Sequence, residues 1–70
     1  DNAFLTDLVP QMRTDLDKIY NSGADQATVK QRVASYYKGL RRVLKKQHKT
    51  STQLDAFDKA FAEYVNQKNQ

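Results

Sequence analysis

The sequence predicts an all-α protein, a small antiparallel helical bundle that forms one domain over residues 1–70. Apolar residues recur at spacings of three and four in three successive segments, which is the period of an amphipathic helix. No segment alternates apolar and polar residues over the length of a strand. Only a few residues separate the segments, and connections that short join antiparallel helices. We therefore expect three main helices around one core.

The first helix is expected from about Thr6 to Asn21. Thr6 is a suitable N-cap residue, and Pro10 then falls late in the first turn, where its missing N–H costs little. If residues 2–9 are helical as well, Pro10 separates a short fourth helix from the main one. The apolar stripe of this segment consists of Leu5, Leu8, Val9, Met12, Leu16, Ile19 and Tyr20.

The second helix is expected to begin after Asp25 and to continue to about His48. Gly23 can supply the left-handed residue that ends the first helix, and the Asp25 carboxylate can cap the second. The apolar stripe consists of Val29, Val33, Tyr36, Tyr37, Leu40, Val43 and Leu44. We expect both tyrosine rings to pack at the edge of the core with their hydroxyls in water.

The third helix is expected to begin at a capping box and to end at about Asn66. Thr50 and Gln53 have the T-x-x-Q spacing in which side chain and backbone cap each other. The apolar stripe consists of Leu54, Phe57, Phe61, Tyr64 and Val65.

The formal net charge of +4 is concentrated in the middle of the chain. Residues 1–22 sum to −2, residues 23–49 to +7 and residues 50–70 to −1. No acidic residue follows Asp25 in the second helix, where neighbouring cations oppose helix formation. Such a stretch is either an ordinary solvated face or a binding surface for anionic lipid, nucleic acid or an acidic protein. Six residues are therefore candidates for partner binding: Lys38, Arg41, Arg42, Lys45, Lys46 and Lys49.

The sequence offers little for catalysis, metal binding or cofactor binding. It contains no cysteine and a single histidine, His48, which has no nucleophile or carboxylate at a motif spacing. Asp15 and Asp17 lie two residues apart and so point to different sides of a helix. We expect a non-enzymatic protein without a catalytic site, a metal or a cofactor.

Ten residues spread over the chain carry a resemblance to a known family: Leu16, Lys18, Arg32, Val33, Tyr36, Tyr37, Leu40, Leu44, Leu54 and Phe57. Their order resembles the later helices of the immunity proteins that protect lactic acid bacteria from pediocin-like (enterocin A-type) bacteriocins. The resemblance implies an antiparallel four-helix bundle without enzymatic activity. It also implies a cytosolic protein that recognises the bacteriocin together with its membrane sugar-transporter receptor.

Three functions are compatible with these features. The first is bacteriocin immunity, with the basic residues drawn to a protein partner at the inner membrane surface. The second is a small nucleic-acid-binding regulator that uses the same residues on phosphates. The third is a helical adaptor or subunit whose groove receives a partner helix. We expect a cytoplasmic protein associated with the membrane in the first case, and the sequence leaves the oligomeric state open.

Overall fold

The computed structural model describes residues 2–70 and contains three helices: α1 (Phe4–Tyr20), α2 (Gln26–Lys46) and α3 (Ser51–Lys68). Residues 2–70 form no strand. The helices surround one core, with contacts between every pair of helices. The prediction of an all-α fold with three helices is confirmed.

The start of α1 differs from the prediction. The helix begins at Phe4 with Ala3 in the N-cap position, so Thr6 lies inside the helix and does not cap it. Pro10 is the seventh residue of α1, and the helix continues through it. The lost N–H leaves one carbonyl, that of Thr6, without its usual helical partner, and Thr6 is exposed to water. Residues 2–9 therefore do not form a separate fourth helix.

The connection between α1 and α2 uses both of the residues that the sequence indicated. Gly23 is left-handed, with φ of +80°, although it lies two residues beyond the C-cap, Asn21. Asp25 caps α2, because its carboxylate accepts a hydrogen bond of 2.7 Å from the Thr28 N–H. This hydrogen bond is the main reason why the pKa of Asp25 is lowered.

The connection between α2 and α3 contains a left-handed histidine. α2 ends at Lys46, and His48 follows with φ of +62°, a conformation that normally favours glycine. The His48 N–H donates to the Lys45 carbonyl at 3.0 Å, and the Lys49 N–H donates to the Leu44 carbonyl at 3.2 Å. These two bonds form a Schellman motif, which stops the helix two residues before the predicted end.

The predicted capping box of α3 is present. The Gln53 N–H donates to the Thr50 hydroxyl at 3.1 Å, and the Thr50 N–H donates to the Gln53 side chain at 2.9 Å. α3 continues to Lys68, two residues past the predicted end.

The core contains seven buried residues from all three helices: Met12, Leu16, Val33, Leu44, Leu54, Phe57 and Phe61. The Tyr37 ring is stacked on Phe57 at a centroid distance of 5.8 Å. Val43, predicted in the apolar stripe, is instead 47% exposed. A helical step of about 100° turns Val43 away from the buried Leu44.

Each pair of helices is connected by a hydrogen bond from a tyrosine hydroxyl on one helix to an aspartate on the other. For Tyr36 and Tyr37 this differs from the prediction that their hydroxyls lie in water. The three bonds are Tyr36 to Asp15 (α2 to α1, 2.7 Å), Tyr37 to Asp58 (α2 to α3, 2.7 Å) and Tyr64 to Asp17 (α3 to α1, 2.5 Å). Asp15 and Asp17 do point to different neighbours, as their spacing predicted.

Candidate binding surface

Four of the six candidate residues form one exposed cationic surface on the second half of α2. These are Lys38, Arg42, Lys45 and Lys46, which we call the basic surface. Within the part of the chain that the structure describes, none of the four has an ion-pair, hydrogen-bond or ring partner. Their charges are therefore available to an external anion.

Arg41, the fifth candidate, is engaged inside the protein. Its Nε lies 3.2 Å from an oxygen of Asp58, and both side chains are about one third exposed. The same Asp58 oxygen accepts the hydrogen bond from the Tyr37 hydroxyl. The bond to Asp58 raises the pKa of Arg41, and the separate hydrogen bond from the Tyr37 hydroxyl to Asp58 raises the pKa of Tyr37. Arg41 thus joins α2 to α3 and differs from the four cations of the basic surface.

Lys49, the sixth candidate, also makes an internal contact. Its Nζ lies 4.7 Å from the centroid of the Phe4 ring, within the range of a cation–π interaction. Lys49 is only partly exposed and is the last residue of the Schellman motif, outside α2. A helical wheel that extends α2 to Lys49 therefore misplaces this residue.

Repulsion between the cations of the basic surface has only a small effect on the stability of α2. Like charges four residues apart, such as Lys38 and Arg42, cost a few tenths of a kcal/mol per pair. Lys45 and Lys46 lie in the last turn of α2, where the helix dipole favours cations by about 0.3–1 kcal/mol each. The two effects nearly offset each other, so the fold tolerates this surface.

Two aspartates of α1, Asp15 and Asp17, connect this helix to its neighbours. Asp17 accepts the hydrogen bond from Tyr64 and pairs with Lys68 at 3.0 Å. Both contacts lower the pKa of Asp17, and the bond from Tyr64 has the larger effect. Burial and the bond to Asp15 raise the pKa of Tyr36. His48 is exposed in the second connection. Among residues 2–70 no three His, Cys, Asp or Glu side chains are placed to hold a metal ion.

A groove of about 930 Å³ lies between α2 and α3, at a place that the sequence pattern does not reveal. Val33, Tyr37 and Phe61 are among the residues that line it, together with the small side chains of Ala34 and Ala62. The stripes of α2 and α3 indicated a shared core, but a stripe does not show how much of it a third helix covers. The alanines next to both apolar stripes were the sequence feature that could have indicated the groove.

The comparisons with known proteins do not place this chain in a family. No protein-family model, no curated protein and no solved structure matches it. Within residues 2–70 none of the helices combines the length and the apolar character that crossing a bilayer requires.

Proposed function

We propose that this protein is a non-enzymatic immunity-type protein that binds its partner through the basic surface at the inner face of the membrane. The observation that carries the proposal is the group of four exposed, unpartnered cations at Lys38, Arg42, Lys45 and Lys46. The choice of bacteriocin immunity over other binding functions rests on the resemblance of the helical pattern. The partner in this proposal is a bacteriocin–receptor complex.

The proposal includes an antiparallel arrangement of the three helices. Contacts between opposite ends of α1 and α2 support it, because Phe4 near the start of α1 meets Lys49 just beyond α2. Arg41 and Asp58 support it for the second pair, since a residue late in α2 meets one early in α3. In this arrangement the basic surface lies on the outside of the bundle.

The strength expected of the basic surface favours a protein partner in addition to lipid. Each cation near an anionic leaflet contributes about 1 kcal/mol, so four contribute about 4 kcal/mol. That free energy corresponds to a dissociation constant of roughly 1 mM, which is a weak attraction. Lipid charge can concentrate the protein at the membrane, and contacts with a receptor must provide the remaining affinity.

Protection of a sensitive strain tests this function. We would express the native protein and two double variants, then expose the cells to a panel of pediocin-like peptides. Arg42→Glu with Lys45→Glu alters the basic surface, while Lys18→Glu with Lys59→Glu changes two exposed cations elsewhere. Both variants lower the formal net charge from +4 to zero.

We expect the native protein and the Lys18/Lys59 variant to protect the cells against at least one peptide. The Arg42/Lys45 variant should lose protection while remaining as abundant and as helical as the native protein. Absence of protection by the native protein against every peptide would refute the immunity function. Equal protection by both variants would show that the basic surface is only a solvated face.

A nucleic-acid-binding regulator is the competing use of the same cations. Binding to phosphates alone should be weak, independent of sequence and steeply reduced by salt. If the native protein bound one DNA sequence about a thousandfold more tightly than random duplex at physiological salt, its function would be that of a nucleic-acid-binding regulator. The immunity proposal would then be wrong.

A further inference from the structure

Gly39 is an unusual residue for its position in α2. It is exposed and lies well inside the helix, where glycine is less favourable than every residue except proline. Its backbone does not require glycine, because among residues 2–70 only Gly23 and His48 have a positive φ. A β-carbon at this position would also have room, since nothing lies within 4 Å of it beyond the adjoining backbone of α2 and the two chain neighbours. In the described part of the chain, neither backbone conformation nor packing accounts for this glycine.

Val43 is the second unusual residue, and it lies one turn after Gly39. Its side chain is 47% exposed, and within residues 2–70 no other large apolar side chain is exposed. Residues four apart are neighbours on the surface of a helix, so Gly39 and Val43 form one row along α2. The missing side chain at Gly39 leaves a gap in this row, next to an apolar side chain that the bundle does not cover.

Two cations of the basic surface lie beside this row. Arg42 and Lys46 are also four residues apart, and each lies three residues after a member of the row. Neither cation has an ion-pair or hydrogen-bond partner in residues 2–70. All four residues are exposed, and we call Gly39, Arg42, Val43 and Lys46 the outer patch. The outer patch combines a gap, an apolar side chain and two available positive charges within about two turns of α2.

The outer patch fits a helix better than a lipid surface. Side chains four residues apart form ridges on a helix, and two helices pack when a ridge of one enters a groove of the other. The gap at Gly39 lets such a ridge approach the backbone of α2. Binding to a bilayer surface depends on buried apolar area and on charge, so a missing side chain adds nothing to it. The gap therefore favours a partner helix.

We propose that the outer patch docks an acidic amphipathic helix of a partner protein, which crosses α2 at Gly39. Acidic side chains one turn apart on that helix pair with Arg42 and Lys46, and its apolar side chains pack on Val43. Charge complementarity supports this occupant, because every charged residue of α2 is a cation. The inference rests on the proposed function, in which the basic surface binds a protein, and it states the chemistry of the segment that is bound.

Thermal unfolding of the full chain tests whether the fold itself needs Gly39. Gly39→Ala should raise the melting temperature by about 4–8 °C, because alanine is the best helix former and its β-carbon has room. Ala34→Gly makes the opposite exchange at another exposed interior position of α2 and should lower the melting temperature by a similar amount. An unchanged or lower melting temperature for Gly39→Ala would show that the fold needs the glycine and would overturn the proposal.

A synthetic acidic peptide tests the binding. The probe is a helical peptide with a row of leucines flanked by glutamates one turn apart, and amide shifts in nuclear magnetic resonance follow its binding to the full chain. The native protein should bind it with a dissociation constant below about 1 mM. Gly39→Gln fills the gap and Val43→Ser removes the apolar contact, so each should raise this constant at least about tenfold. Ala27→Gln, at an exposed site of α2 outside the outer patch, should leave it unchanged.

The peptide with glutamine in place of glutamate should bind at least about tenfold more weakly than the acidic peptide. No binding of the acidic peptide at about 1 mM would overturn the proposal, as would equal affinities of Gly39→Gln and the native protein. If Gly39→Gln lost binding to vesicles of phosphatidylglycerol and phosphatidylcholine but kept binding to the peptide, the outer patch would belong to a lipid surface and the proposal would be wrong.

Protection of sensitive cells separates this interface from the immunity function. If the peptide binds with the expected losses but the native protein protects no cells, the interface is supported and only the immunity function is refuted. If the native protein protects cells and Gly39→Gln protects them equally well, the immunity function stands. The outer patch is then not the contact with the partner, and the proposal is overturned.

Discussion

Replacing Pro10 with Ala is expected to stabilise the protein, because Pro10 lies within α1. Proline in a helix interior is about 3 kcal/mol less favourable than alanine. Proline also restricts the unfolded chain, which offsets about 0.4–1 kcal/mol of that difference. The net gain is therefore about 2 kcal/mol. The hydrogen bond from the Thr14 hydroxyl to the carbonyl of residue 10 uses backbone only at that position, so it survives the change.

Thermal unfolding followed by circular dichroism measures this gain. In a domain of this size, about 2 kcal/mol raises the melting temperature by roughly 8–16 °C. The new amide at position 10 should donate to the Thr6 carbonyl and show slow hydrogen exchange. Ser35→Ala, at an exposed site of α2, serves as the control and should change stability by less than about 0.5 kcal/mol. An unchanged or lower melting temperature for Pro10→Ala would refute a continuous α1.

Three further changes test the connections, the core and the carboxylates. His48→Gly should raise the free energy of unfolding by about 1 kcal/mol, because glycine adopts the left-handed conformation without strain. Gln47→Gly, the control, should lower the free energy of unfolding. A lower free energy of unfolding in both variants would contradict the Schellman motif. Phe57→Ala should lower the free energy of unfolding by about 3–5 kcal/mol and Phe57→Leu by less, as urea titration would show, and equal losses would argue against close packing. The pKa values of Asp17 and Asp25 are lowered in the folded state, so stability should be complete above the ordinary carboxyl pKa and fall as the pH drops below it. Asp25→Asn keeps a capping side chain that does not titrate and should reduce this acid sensitivity, and an unaltered pH profile would rule out a contribution from Asp25.

Local sequence signals predicted much of the fold. Asp25 and the Thr50–Gln53 pair form the caps that their residue types and spacing indicated. The period of the apolar residues identified all seven buried core residues, because a helix that buries one face needs that period. Thr6 misled the prediction because it is a good N-cap residue by type. Packing of Leu5 and Leu8 against the core extends α1 to Phe4 instead.

The arrangement of the candidate surface depended on contacts that sequence spacing does not contain. Arg41 lies near the cationic side of α2 on a helical wheel, yet Asp58 of α3 pairs with it. Lys49 does not lie on the helical face predicted for it, because the left-handed His48 ends α2 before this residue. The groove depends on how far α1 covers the other two helices, which is a property of packing between helices and not of any one stripe.

Binding to anionic vesicles tests most directly whether the basic surface binds a membrane. Co-sedimentation with vesicles of phosphatidylglycerol and phosphatidylcholine would compare the native protein with the Arg42→Glu/Lys45→Glu and Lys18→Glu/Lys59→Glu variants, which have the same net charge. Removal of two cations costs about 2 kcal/mol, so the Arg42/Lys45 variant should bind at least about thirtyfold more weakly. The Lys18/Lys59 variant should retain most of the native affinity. Equal losses in both variants would show that only net charge matters and would contradict a binding role for the basic surface.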